Sequence, residues 1–244
     1  MRNIIAVSCK ELKGYFETPV AYVFMVVFLM LSGMFTFYLG GFYDAEQANL
    51  SGFFNWHPWL YLFLIPAISM RLWAEERRSG TIEILLTLPI STFESVVGKF
   101  IAAWIFAGIS LLLTFPMWLT VNYLGDPDNG IIIISYIGSF IMGGAFLAVG
   151  SCISAMTQNQ VVSFVISITV CFLFTVSGFP IVLDFFSALN LPQFVIDTVS
   201  SFSFIQNFDD ILKGSLSLKN IVYFVSFIVL WLYINIVVID TKRA

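Results

Sequence analysis

Charge is what this sequence has least of. Only 11% of its 244 residues are Asp, Glu, Lys or Arg, against about a quarter in an ordinary soluble domain, which excludes a water-soluble fold of the usual kind. Histidine is confined to His57, flanked by Trp56 and Pro58. The sequence supplies it no catalytic or metal-binding company, so a structural place at the outer membrane interface is expected. Neither a Ser-His-Asp constellation nor an H-E-x-x-H motif is present, which argues against a membrane-embedded protease or hydrolase. Cysteine is limited to Cys9, Cys152 and Cys171, without CxxC spacing and outside the candidate exterior loops, so disulfides and zinc are not expected. Gly98-Lys99 lacks the rest of a phosphate loop, because Phe93 stands where glycine is required and Phe100 where a hydroxyl is required. The chain is therefore not expected to hydrolyse ATP, and Lys99 reads as an interfacial anchor. The interiors of the first, third, fourth, fifth and sixth apolar runs hold no ionisable side chain. Ion-coupled carriers and channels with charged filters keep such groups near the midplane despite their cost, so both are disfavoured.

Apolar residues fill the space that charge leaves, making up 59% of the chain. A helix needs about 20 predominantly apolar residues to cross the hydrocarbon core. Runs of that kind fall at about 20–42, 53–72, 95–124, 131–156, 161–183 and 221–239. The expected fold is all-α, a single transmembrane domain over 1–244 with six spans. The first run begins too late and continues too long for a removable signal peptide.

Residues 1–18 carry Ile5, Cys9, Leu12 and Phe16 at helical spacing, with Lys10, Lys13 and Glu17 turned away, which predicts an amphipathic interfacial helix. Pro66 should kink the second run. Trp56, Trp59 and Tyr61 at one end of that run and Trp73 at the other read as interfacial anchors. Ser91 and Glu94 have the spacing of a capping box, opening the third span. Ser135, Ser139 and Gly143, with Gly144 and Ala148 alongside, mark the fourth span as the most closely packed. Between the fifth and sixth spans, residues 184–220 carry Phe194, Phe202, Phe208 and Ile211 at helical spacing, as expected of a segment that lies in the interface or dips into the bundle.

Orientation follows from Lys and Arg. With both termini cytoplasmic, Arg2, Lys10, Lys13, Arg71, Arg77, Arg78, Lys99, Lys242 and Arg243 lie inside, leaving only Lys213 and Lys219 outside.

The densest charge lies between the second and third spans, from Arg71 to Pro89. Gly80 breaks the charged segment, Thr81 can cap a new helix and Pro89 stops it after about two turns. In that short helix Ile82, Leu85 and Leu86 share a face, while Glu83 points elsewhere. Two turns are not stable alone, and burying three such side chains contributes roughly 1.5–3 kcal/mol each, so the helix is expected to dock into another protein or domain. A solvated charged loop would leave that apolar face exposed.

The stretch from Ala74 through Glu75-Glu76-Arg77-Arg78-Ser79-Gly80-Thr81-Ile82-Glu83-Ile84-Leu85-Leu86-Thr87-Leu88-Pro89 to Ser91, followed by Val97-Gly98-Lys99-Phe100, resembles the signature of ABC-2 type transporter permeases. The likeness covers the whole six-span layout, and is nearest to the small permeases of gliding-motility and nitrous-oxide-reductase-maturation systems. The resemblance implies an exporter's membrane subunit in the bacterial cytoplasmic membrane, with Glu75 to Leu88 forming a coupling helix seated in a cleft of a separate ATPase. It implies two ATPase copies carrying the ATP and Mg, and a second permease copy or homologue. It also leaves room for an auxiliary extracytoplasmic protein, and for a mechanotransmitting subunit that drives such a partner without moving a solute. No cofactor is expected in this chain, membrane lipid is its surroundings, and nothing calls for nucleic acid.

Ser163, Ser167, Cys171 and Thr175 recur every four residues on the fifth span. Helix packing explains such a stripe. The other reading is a path at a dimer interface for an amphipathic or lipidic cargo, with Asn122 and Asn235 as company.

Overall fold

The computed structural model describes residues 2–43, 47–81, 90–189, 192–214 and 217–242. Ile82, Glu83, Leu85 and Leu86 of the expected docking helix lie outside the described residues. Helix α1 (Arg2–Glu17) is followed by α2 (Pro19–Met34), which ends in a π-helical turn at Phe35–Leu39. Pro19 at the first turn of α2 forbids α1 from continuing, because it has no amide hydrogen to donate. Three short helices then follow: α3 (Ser51–Phe54), α4 (His57–Ser69) and α5 (Ala74–Ser79). Helices α6 (Thr92–Leu112) and α7 (Phe115–Leu124) share one apolar stretch, and α8 (Asn129–Met156) is the longest helix among the described residues. Beyond it come α9 (Gln160–Val176), α10 (Pro180–Ala188), α11 (Gln193–Ser201), α12 (Phe204–Leu212) and α13 (Leu218–Thr241).

Among the described residues, four stretches are long and apolar enough to cross a membrane: Ala21–Leu39, Thr92–Leu124, Asn129–Met156 and Leu218–Thr241. A fifth arises if α9 and α10, bent by 80° at their junction, count as one broken span. The chain is an all-α integral membrane protein. The apolar run at 53–72 is divided where the sequence alone reads one helix. Turns at 55–56 and 70–73 leave α4 with 13 residues, about 20 Å of helix. Pro58 sits in the first turn of α4, where a missing amide costs nothing, and Pro66 lies inside it. The third run is also interrupted, at Leu113 and Thr114. Pro116 accounts for this, since its ring opposes a helical carbonyl four residues back.

Helix α8 is the axis of the fold, packing on α4, α6, α9, α12 and most extensively α13. Its apolar residues from Met142 to Val149 are wholly enclosed. The small residues that permit this are specific in their placement. A Cβ built on Gly150 would stand 2.0 Å from Ser69 Oγ, so only glycine lets α4 approach α8 here. The expected anchoring rings fare differently. Tyr61 and Trp73 are buried rather than held at the interfaces. Ser139 Oγ lies 2.8 Å from both Tyr61 Oη and His57 Nδ1. His57 is therefore a sealed core residue packed against Phe53 and Phe54, not an interfacial one. The reason is the division of the second run, which turns its aromatic end into the bundle.

The segment after α9 returns to the core. Phe204, Phe208 and Ile211 on α12 are buried, and Phe204 packs on Phe146, Phe174 and Phe227 of three long helices. A polar clasp fixes the break above α9, with Gln206 Nε2 donating to Gly178 O at 2.9 Å and Ser203 Oγ donating to Thr175 O at 3.3 Å. Such backbone departures from helix are tolerated at membrane depth only where protein supplies the missing partners.

Replacing Gly150 with alanine should cost about 1–3 kcal/mol through overpacking, read as a lower melting midpoint in detergent. The double variant Gly150→Ala/Ser69→Gly should recover most of the loss. An unchanged midpoint in Gly150→Ala would refute the close α4–α8 approach.

Candidate functional site

Three elements meet at one end of the bundle, and Lys99 joins them. Helix α6 begins with the expected capping box: Ser91 Oγ accepts from Glu94 N and Glu94 Oε2 accepts from Ser91 N, each at 3.1 Å. That box starts the helix two turns before Lys99 and orients its side chain inward. Lys99 Nζ lies 3.0 Å from Glu11 Oε1 on α1 and 2.7 Å from Glu76 Oε1 on α5. It also stands 5.3 Å from the centre of the Trp73 ring, within range of a cation–π attraction. Its side chain is 2% exposed, whereas the two carboxylates are 23% and 24% exposed. Lys99 is thus a buried bridge and not an interfacial anchor. An ammonium held from water needs both carboxylates, since an unpaired buried charge costs several kcal/mol.

Helix α1 reaches Glu11 into this position by lying flat on α6. Ser8 Oγ donates to Gly98 O at 3.0 Å, and Asn3 Nδ2 donates to Glu94 Oε2 at 3.1 Å. A Cβ on Gly98 would meet Val7 at 2.8 Å, so glycine sets the distance between the two helices. The face of α1 against α6 is therefore Ile4, Val7, Ser8 and Glu11, rotated from the expected apolar stripe. Ile5 and Cys9 of that stripe are exposed. The departure is confined to the first half of the helix: Leu12 and Phe16 of the same stripe pack on the core, Phe16 against Phe106, while the half nearer Asn3 meets α6 through small and polar side chains.

The turn that leads into α5 is fastened by a hydroxyl. Ser154 Oγ, near the end of α8, accepts from Trp73 N and Ala74 N, both at 3.1 Å, and donates to Met70 O at 3.0 Å. The turn between α4 and α5 is thereby fastened to the central helix. Helix α5 ends at Gly80, whose φ of +74° suits glycine. Glu76 faces Lys99, Glu75 stands 3.8 Å from Arg71, and Arg78, Gly80 and Thr81 are exposed.

The same end carries other cations. Lys242 Nζ donates to Met156 O at the end of α8, and Thr92 Oγ1 donates to Asp240 Oδ1 at 2.7 Å. Burial and the neighbouring Arg77 hold the Lys242 ammonium below the usual lysine range. Lys213 and Lys219 lie at the opposite end, where Gly214 abuts Ile131. The bundle thus sorts Arg71, Arg77, Lys99 and Lys242 to one face, and Lys213 and Lys219 to the other.

The stripe on α9 faces inward. Ser163, Ser167, Cys171 and Thr175 are fully buried in the single chain, with Ser167 beside Gly150. They lie in the seam of α9 with α4 and α8. Asn235 donates to Ser151 Oγ at 2.8 Å within the core, and Asn122 pairs with Asn129 at an exposed helix end. Neither joins the stripe as a common wall. The Lys99 junction was not among the expected sites. Its signal in the sequence was a lysine placed among apolar residues within the third span, with candidate carboxylates only in distant segments.

Among the described residues, no three His, Cys, Asp or Glu side chains stand together as a metal site. What the junction can do is mechanical: it ties an interfacial helix, a connector and a spanning helix into one unit. No curated protein matches the chain. A family model described as ABC-2 family transporter protein matches residues 6–240, nearly the whole chain. A family of membrane components without their own ATPase agrees with the missing phosphate loop, and implies a partnering ABC ATPase subunit. The chain belongs to the ABC-2 transporter family and is a multi-pass membrane permease component of an ABC system.

Proposed function

We propose that this chain is the transmembrane subunit of an ATP-driven exporter of the bacterial cytoplasmic membrane, coupled to its ATPase through residues 75–89. The observation that carries the reading is the Lys99 junction, which grips α5 directly before the segment holding Ile82, Leu85 and Leu86. A force applied to that segment reaches α5 first, and from α5 it passes to α6 and α1 through Lys99 and to α8 through Ser154. In this scheme two permease copies, or one and a homologue, sit over two ATPase subunits that hold the ATP and Mg. Both termini and the Lys99 face are cytoplasmic, in keeping with the sorted Lys and Arg residues.

A mechanotransmitting role, driving an extracytoplasmic partner without solute movement, is the second reading. It is favoured by α8, which contacts α5 at one end and the buried face of α12 toward the other. Reconstituted vesicles with the cognate ATPase distinguish the two, since only an exporter moves solute inward or outward across a sealed bilayer.

Leu85→Asp would put an unpaired charge into the ATPase contact, at a cost of several kcal/mol. It should abolish ATPase pull-down while leaving membrane expression intact, with Leu85→Ala milder and Glu83→Ala only weakening coupling. Wild-type ATPase association in Leu85→Asp would rule out this segment as the coupling element.

The junction makes a second forecast. Lys99→Met leaves Glu11 and Glu76 facing each other without their cation, and should destabilise the protein by about 3 kcal/mol, the low end for a broken buried pair because both carboxylates keep some water. The triple variant Lys99→Met/Glu11→Gln/Glu76→Gln should regain the melting midpoint but not the coupled ATPase rate. A midpoint unaffected by Lys99→Met would contradict the bridge.

A further inference from the structure

Two cavities lie end to end beside the junction. The first, about 230 Å³, is bounded by Glu11, Arg71, Glu75, Glu76 and Lys99, at the level of α1 and α5. The second, about 240 Å³, runs between α2 and α4 into the spanning region, against Phe24, Val27, Leu64, Ile68 and Phe106. Tyr15, Thr18 and Arg71 line both, so the two adjoin. The charged end lies beside the connector and the apolar end lies against α2 and α6, which form apolar spanning stretches, and that is the order of a lipid molecule.

The charges at the polar end restrict the headgroup. Three carboxylates against Arg71 and Lys99 leave the lining one unit negative. Lys99 is already engaged by Glu11 and Glu76. Arg71 and Glu75 approach each other only at 3.8 Å, and their side chains are 38% and 57% exposed. Arg71 Nε and Glu76 Oε2 are out of water with no hydrogen-bond partner among the described residues. The cavity thus offers one guanidinium able to take a phosphate, beside carboxylate oxygens able to take N–H donors.

We infer that this double cavity is a binding site for a zwitterionic phospholipid with a primary ammonium, of the phosphatidylethanolamine type. Arg71 meets the phosphodiester, Glu75 and the second oxygen of Glu76 accept from the ammonium, and an acyl chain lies between α2 and α4. Phosphatidylcholine fits less well because its quaternary nitrogen has no hydrogen to donate. Phosphatidylglycerol brings an anion without a cation beside three carboxylates.

Native mass spectrometry of the full chain in detergent tests this, with dioleoyl phosphatidylethanolamine, phosphatidylcholine and phosphatidylglycerol as probes and glycerophosphoethanolamine as the headgroup alone. Phosphatidylethanolamine should bind more tightly than either other lipid by about tenfold, the worth of one charge-assisted hydrogen bond, and the headgroup alone should not bind. Arg71→Gln and Glu75→Gln should each reduce that preference, and Ala67→Phe, or Val27→Phe if the first lowers the melting midpoint, should weaken all three lipids by obstructing the apolar half. Equal binding of the three lipids overturns the assignment. So does an intact preference in both headgroup variants, or binding of glycerophosphoethanolamine as tight as that of the lipid.

Discussion

A lysine ammonium cannot be left alone out of water, and much of this structure answers to that constraint. Lys99 is enclosed by its own helix bundle, so its charge must be met by side chains brought from elsewhere. One carboxylate arrives on α1, which must lie flat against α6 to deliver it. The other arrives on α5, which must leave α4 by a sharp turn. The position of the interfacial helix and the start of the connector are therefore linked by one ion-pair cluster. Around it the remaining contacts are fitted: a serine hydroxyl on a glycine carbonyl, a capping box at the head of α6, and an indole ring beside the ammonium.

The second constraint is the absence of water along the spans. Two interruptions among the described residues have side-chain partners close by. Ser154 takes the amides freed at the α4–α5 turn, and Gln206 and Ser203 take carbonyls freed above α9. The polar residues inside the bundle are consequently structural wherever their partners are seen, Ser139 with His57 and Asn235 with Ser151 among them.

Much of this could be read from the residues in order. Length and polarity decide that a helix crosses a membrane, so α2, α8 and α13 were legible as apolar runs, and the capping box at Ser91 was legible as a pair of residue types at fixed spacing. The close packing of α8 followed from small residues repeating at four. What could not be read were properties that depend on a partner far away in the chain. Lys99 looks the same whether it reaches lipid headgroups or two carboxylates, because Glu11 and Glu76 are distant in sequence. On α1 hydrophobic periodicity found Leu12 and Phe16, which pack on the core, but it could not register the contact made through Val7 and Ser8, because that contact depends on a glycine at position 98. The burial of the aromatic end of the run at 53–72 depends on Ser139, which lies far along the chain and which no local pattern encodes. The apolar face expected at Ile82, Leu85 and Leu86 remains a reading of residue spacing, as those positions fall outside the described residues.

The central helix has a further consequence. At 28 residues α8 is a rod of about 42 Å, clamped near one end by the Ser154 hydroxyl and touching Ile211 of α12 through Gly138 toward the other. The tightly enclosed middle from Met142 to Val149 lies between these two attachments. The turn that opens α5 and the buried face of α12 are thus seated on one unbroken helix, and neither can shift without straining the same rod.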